Sequence, residues 1–247
     1  MNCDCYRAIS IECGTAHNAI PRKCVLNVAV KADKFPCFEK KCTAAFEAFE
    51  KEYRLIEENA TFAIKDVEDD RTPCDLASTK RLVNFLATCP FGPMRMSPVV
   101  EGLVETSMTC AIASTKDLDC MQFTISVRSS SKTQINHMYD RLSCICSMNG
   151  MSLSEKIGEY PGWEPDEKSK VTKIMARIYE DLYKKEPWIY ACHAGLECGL
   201  IMEKYPGIDC TSVGPEINFP HSPDERCLIS SVPPFMEVIR RTLEEIE

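Results

Sequence analysis

The sequence changes rhythm at EYPGWEPDEKSK, Glu159–Lys170, and that change limits what can be built on either side. Two prolines, a glycine and six charges leave no periodic apolar face there, so the stretch reads as a linker. Before it, apolar residues recur in two periods. Tyr6–Cys13 and Cys24–Val30 read as strands around the turn GTAHNAIPRK. From Pro36 to Leu55 the set Phe38, Cys42, Ala45, Phe46, Phe49 and Tyr53 falls at three- and four-residue steps, one face of a helix. ATFAIKDVE reads as a short strand and Leu76–Leu86 as a second helix ending near Cys89-Pro90. Gly102–Ile112 and Cys120–Arg128 alternate. In the latter, Met121, Phe123, Ile125 and Val127 face one way, and Gln122, Thr124, Ser126 and Arg128 the other. A helix follows with Ile135, Met138, Leu142 and Ile145 on its buried side. This order predicts an α+β layer, an antiparallel sheet with helices on one face.

After the linker, helix and strand alternate. Val171, Ile174, Met175, Ile178 and Leu182 mark a helix, and WIYAC a short buried strand. HAGLECGLIMEKYPG turns into a helix, and IDCTSVG reads as another strand. Ser231 reads as the cap of a last helix running to Ile246, with Pro233 and Pro234 in its first turn. That alternation predicts a parallel or mixed α/β sheet. The expected division is therefore residues 1–162 as an α+β domain and 163–247 as the end of an α/β domain. About 85 residues are few for an α/β domain of its own.

Composition narrows the class. Of 247 residues, 45% are apolar and 27% charged, which fits a packed globular chain. A net charge of -8 with no basic stripe argues against nucleic acid. No apolar run approaches a membrane span, and MNCDCYRAIS lacks the basic start and apolar core of an export signal. A cytoplasmic protein is expected. The 16 cysteines then read as reduced, small apolar side chains. Cys3-x-Cys5 and Cys144-x-Cys146 have the wrong spacing for a zinc ribbon or finger.

The chain has no HExxH, GxSxG, Walker loop or GxGxxG. Its four histidines, His17, His137, His193 and His221, have no partners at ligand spacing. His221 sits in TSVGPEINFPHSPDERCLISS, after an expected strand, where α/β sheets bind ligands. Ser222 and Asp224 stand ready to orient its ring. A plain surface turn explains the same residues. His193 opens HAGLECG, whose glycines allow a close backbone approach and whose helix start offers free amides. A tight strand-to-helix turn accounts for it equally, and for Glu197. Arg128 ends its strand on the polar face, poised either to fork onto a carboxylate or to stand solvated at an edge.

Four segments together carry a resemblance: HNAIPRK (His17–Lys23), EYPGWEPD (Glu159–Asp166), HAGLECGL (His193–Leu200) and VGPEINFPHSPDER (Val213–Arg226). In this order and spacing the chain resembles the C-terminal half of the aminoacyl-histidine dipeptidases, carnosinase-related dinuclear zinc peptidases also called cytosolic non-specific dipeptidases. The resemblance implies a partial lid domain over 1–162, of the dimerisation type, and a C-terminal segment of the zinc-binding catalytic domain over 163–247. It implies His221 as a zinc ligand. It implies Asn18 and Arg128 as holders of the substrate's terminal carboxylate. His193 and Glu197 become supporting residues of a site loop. The family uses two zinc ions, of which this chain supplies at most one ligand. The general base and remaining ligands, a histidine-aspartate pair, a bridging aspartate, a Glu-Glu pair and a further aspartate, are expected upstream of these residues. The implied partners are a dipeptide and either the missing N-terminal catalytic half or a second copy. The expectation is a metallodipeptidase piece inactive alone, the alternative being a non-catalytic binding or assembly module.

Overall fold

In a computed structural model of the chain, residues 5–98, 101–115, 120–159, 166, 168–189, 197–220 and 224–246 are described. The expected domain boundary at 162/163 lies outside them. Two compact units are distinguished. One comprises Met1–Cys89, Cys110–Thr124 and Ile145–Ser152, and the other Pro90–Thr109, Ile125–Cys144 and Leu153–Glu247.

The first unit is built on a hairpin. Strands β1 (Tyr6–Cys13) and β2 (Cys24–Val30) pair antiparallel from Tyr6↔Val30 to Cys13↔Cys24. A bulge falls between Ala8 and Ser10, where β1 advances two residues while β2 advances one. The bulge breaks the simple alternation, so Ala8, Ser10 and Ile11 are all buried. Backbone groups freed there find other partners. The Ala8 amide donates to Thr79 Oγ1 (3.2 Å), and the Ala8 carbonyl accepts from the Cys74 amide (2.8 Å). Thr79 is fully buried on helix α2 (Leu76–Thr88), with Leu82 and Phe85 on the same face. Asp75 caps α2 by accepting from the Ser78 amide at 2.6 Å.

Helix α1 (Phe35–Tyr53) has the expected apolar stripe, but none of its residues is fully buried. The stripe is partly covered by its own rings and one from the following segment: Phe46 stacks on Phe49 and on Phe62, and Phe49 on Tyr53. Phe62 lies in ATFAIKDVE, which forms no strand. Side chains rather than a ladder tie the chain beyond it to the hairpin. Asp69 accepts from Asn27 Nδ2 (2.9 Å) and from Arg71, which also donates to Ser10 Oγ (2.9 Å). The Arg71 guanidinium and the Asn27 amide hold the Asp69 carboxyl far below the usual carboxylate range.

Strand β4 (Val104–Ser114) pairs along two stretches. Its first part pairs antiparallel with β3 (Gly92–Met96), and its end with β1 through Cys13↔Ala113 and Glu12↔Ser114. Strand β3 was hidden in the sequence because GPMRM lacks alternation. Burial on β4 follows Thr106 and Met108, then switches phase to Ala111 and Ala113. Strand β5 (Gln122–Ser129) also pairs with β4. Helix α3 (Lys132–Met148) buries Met138, Leu142 and Cys146. Cys146, two four-residue steps after Met138, takes the place expected for Ile145.

Within the second unit, helices α4 (Lys170–Tyr183) and α6 (Val232–Glu245) pack together, burying Ile178 and Val238. Tyr183 Oη donates to the Pro234 carbonyl (3.1 Å). Ser169 caps α4, accepting from the Thr172 amide, and Asp209 Oδ2 accepts from the Lys170 and Val171 amides. Burial pushes the Asp209 carboxyl up, but these donors prevail and the net shift is down. One expected strand is corrected here. Ile208–Gly214 forms no strand. Trp188 and Ile189, the start of WIYAC, are outside any strand and 84% and 62% exposed; the rest of that segment lies outside the described residues. An apolar run becomes a strand only where a neighbouring edge pairs with it. Neither run has such an edge among the described residues. The pairing found instead is a two-residue ladder, β6 (Ile217–Asn218) with β7 (Arg226–Cys227). Among the described residues no helix is long and apolar enough to cross a membrane.

Candidate substrate and metal site

Asn18 stands in the ten-residue connection between β1 and β2. Gly14 opens that connection with a φ of +70°. A Cβ there would lie 1.9 Å from the Ala111 carbonyl oxygen, so only glycine lets β1 approach β4 so closely. The Gly14 amide donates to the Lys23 carbonyl (3.2 Å), closing the base, and the Ala19 amide donates to Ala16 O (3.3 Å), forming a turn that presents His17 and Asn18 to solvent. On the β4 side, Glu12 accepts from the Ser114 hydroxyl (3.1 Å) and the Thr115 amide (3.3 Å), fixing the end of β1.

Arg128 is the penultimate residue of β5 and is half-buried. The strand end beneath it is held firmly. Ser129 Oγ bonds Thr106 Oγ1 (2.9 Å) and accepts from the Ser131 amide (3.1 Å). The Ser130 amide donates to the Glu105 carbonyl. Glu105 itself is buried and paired with Arg95 at 3.0 Å. Ordered backbone under a guanidinium reduces the entropy lost when it forks onto a carboxylate.

Glu197 is the first residue of helix α5 (Glu197–Lys204) and is exposed. The helix is joined to the β5–α3 corner by Lys132 Nζ–Glu203 Oε1 (3.6 Å), an exposed pair that contributes little energy. Cys198 Sγ lies 4.0 Å from the Thr211 carbonyl oxygen. His193 lies outside the described residues.

His221 also lies outside them, but both ends of its loop are described. Ile217↔Cys227 and Asn218↔Arg226 pair antiparallel, so residues 219–225 connect a closed hairpin. Its base is fastened to the start of α6. The Glu216 amide donates to Ser231 Oγ (2.9 Å), the Leu228 amide to Glu216 O (2.9 Å), and Ser231 Oγ to Leu228 O (2.6 Å). Ser231 was expected to cap α6. It instead makes no side-chain cap bond to the helix because its hydroxyl is used by the hairpin. Above the base, the Arg226 guanidinium sits 4.7 Å from the centre of the Phe219 ring, and Phe219 has a φ of +56°. Phenylalanine in the left-handed region is strained, and such strain gathers at functional loops. Sequence reading missed this clamp, since nothing in NFPH specifies a positive φ.

Among the described residues no three His, Cys, Asp or Glu side chains converge as a metal site. Those residues therefore do not fit a zinc centre by themselves.

No protein-family model matches the chain. Cytosol non-specific dipeptidase of Escherichia coli (strain K12) is 33% identical over 240 residues, spanning 97% of this chain and 49% of that protein. The solved structure of aminoacylhistidine dipeptidase from Vibrio alginolyticus superposes with a TM-score of 0.81 at 34% identity, over 98% of this chain and 49% of that one. The chain thus spans about half the length of the relatives it matches, as a resemblance to the C-terminal half requires. By sequence and by its mixed α/β fold, the chain is related along nearly its whole length to about half of an aminoacyl-histidine (cytosol non-specific) dipeptidase.

Proposed function

We infer that the chain is the carboxylate-recognising part of a cytoplasmic dipeptidase that hydrolyses Xaa-His and other dipeptides. The observation that carries this reading is a match of about one third identity along nearly the whole chain, with the same fold. In this reading the Arg128 guanidinium and the Asn18 amide donate hydrogen bonds to the dipeptide's terminal carboxylate. Holding that end sets the position of the peptide bond to be cut. His193 and Glu197 support the wall of the site. His221 is the chain's single zinc ligand, carried on the hairpin that Ser231 fastens. The family's two zinc ions and its general base require donors from the part of the relatives that the chain does not match. The chain alone is therefore expected to be inactive.

Exposed apolar side chains favour a second reading. Trp188, Ile189, Tyr205, Phe219 and Ile229 are all more than half exposed, which suits an assembly module or a second copy as partner. One experiment separates the readings. The chain is assayed for Xaa-His hydrolysis with zinc, alone and mixed with a separately produced polypeptide corresponding to the unmatched half of the relatives. Activity in the mixture only supports the dipeptidase reading. A stable but inert mixture, or an inert homodimer that ignores the added half, overturns it in favour of the module. Hydrolysis by the pure chain overturns the assignment of the base to other sequence.

A further inference from the structure

Three cysteines meet in the first unit where the hairpin joins β4. Cys13 ends β1, Cys24 begins β2 and Cys110 lies on β4. Cys13 and Cys24 stand directly opposite each other in the antiparallel register. The next pair outward is hydrogen-bonded, Gly14 amide to Lys23 carbonyl, so Cys13 and Cys24 form a pair without hydrogen bonds between them. Such pairs have Cα atoms about 4.5 Å apart with side chains close together, inside the range of about 4.4–6.8 Å that a disulfide spans. The two thiols are within hydrogen-bonding reach, and Cys24 is exposed as a residue although its thiol is part-buried.

We propose that Cys13 and Cys24 are a reversible oxidation site that closes to an intramolecular disulfide on reaction with a low-molecular-weight disulfide such as oxidised glutathione. In the first step a thiolate of the pair attacks one glutathione sulfur. An S–S bond forms between protein and glutathione, and one glutathione leaves as thiolate and takes up a proton. The opposite cysteine, as thiolate, then attacks the protein sulfur of that mixed disulfide and expels the second glutathione. Two protein thiols are oxidised and one oxidised glutathione is reduced to two thiols. The second step is fast relative to attack by free glutathione because register already holds the two sulfurs together. In the reduced state, burial, the neighbouring Cys13 and the nearby Cys110 raise the Cys24 thiol to about 12, so it is a weak spontaneous nucleophile. The bond closes residues 14–23 into a covalent ring, and that ring carries Asn18. An effect on substrate binding rests on the proposed role of Asn18, but disulfide formation does not.

The test is peptic mapping of the 247-residue chain at acid pH, after incubation with oxidised glutathione and without reductant. The expected product is a peptide joining β1 to β2 through Cys13 and Cys24, two hydrogens lighter than its parts and separated by reduction. Cys110→Ser should leave this product in place. Cys24→Ser should abolish it and leave Cys13 as a glutathione adduct, with an unchanged near-ultraviolet dichroism spectrum showing that the variant is folded. A link from Cys13 to Cys110 overturns the proposal. So do separate glutathione adducts on Cys13 and Cys24, or free thiols at both when exposed Cys37 and Cys144 have reacted. Mapping reads the bond directly, so its outcome is independent of whether any dipeptidase activity is found.

Discussion

Gly14 shows how much one missing side chain can decide. Its left-handed backbone and its distance from Ala111 O leave no place for a Cβ. Gly14→Ala must therefore strain the backbone or push β1 away from β4. We expect a loss of at least about 2 kcal/mol, from the left-handed conformation and the clash together; chemical denaturation measures it, and a change under about 0.5 kcal/mol would disprove the close approach. Thr79 is a second such residue. Its hydroxyl is the partner of a buried bulge amide, at Ala8. Thr79→Val preserves shape but leaves that amide unsatisfied, a cost of about 1–3 kcal/mol. Faster exchange of the Ala8 amide hydrogen in the variant would confirm the cause. Neither role was visible in the sequence, where Gly14 looks like any turn glycine and Thr79 like a neutral helix residue. Both depend on atoms roughly 70 or 100 positions away in the chain.

At the level of elements, legibility follows how far each one depends on its own residues. Helices α1, α2, α3, α4 and α6 were readable within a few residues because each carries its apolar stripe in its own sequence. Strands β1, β2, β4 and β5 alternate and were read too. Failures came where a ladder needs a partner: ATFAIKDVE, IDCTSVG and the start of WIYAC have the right residue types and no paired edge among the described residues. Strand β3 erred the other way, its poor pattern overridden by the edge of β4. The β6–β7 hairpin went unread for the same reason, though it brackets the residue singled out from sequence. Its fastening to α6 makes a local prediction. Ser231→Ala removes the acceptor for the Glu216 amide and the donor to Leu228 O, a loss of about 1–2 kcal/mol confined to this corner. Hydrogen exchange should quicken at Glu216 while α4 stays protected. Equal quickening in both would mean that Ser231 supports the whole unit instead. Glu237 in the same helix is held at about 2, first by Arg240 and then by Arg241. Its folded-state value is depressed, so its contribution is present above the ordinary carboxylate range and is lost as pH falls toward 2. The group is exposed, so added salt should weaken that contribution.

For the whole molecule, the candidate site rests on resemblance more than on geometry. Asn18, Arg128 and Glu197 are placed on a closed turn, a pinned strand end and a helix start, while His193 and His221 lie outside the described residues. Physical pattern alone left His221 an ordinary loop histidine; four separated motifs made it a ligand candidate. That role has a consequence that a packing role does not share. A loop imidazole carries little of the fold, so His221→Ala should change the chain's unfolding midpoint by no more than about 0.5 kcal/mol in equivalent stability. In the reconstituted mixture the same variant should lose bound zinc and Xaa-His hydrolysis together. Arg128→Lys in that mixture should instead retain zinc and raise KM by about tenfold, because a point charge replaces a two-pronged donor. The two variants thus separate metal binding from carboxylate binding. Full activity in His221→Ala would reject the ligand role, and an unchanged KM in Arg128→Lys would return that arginine to a structural part at the end of β5.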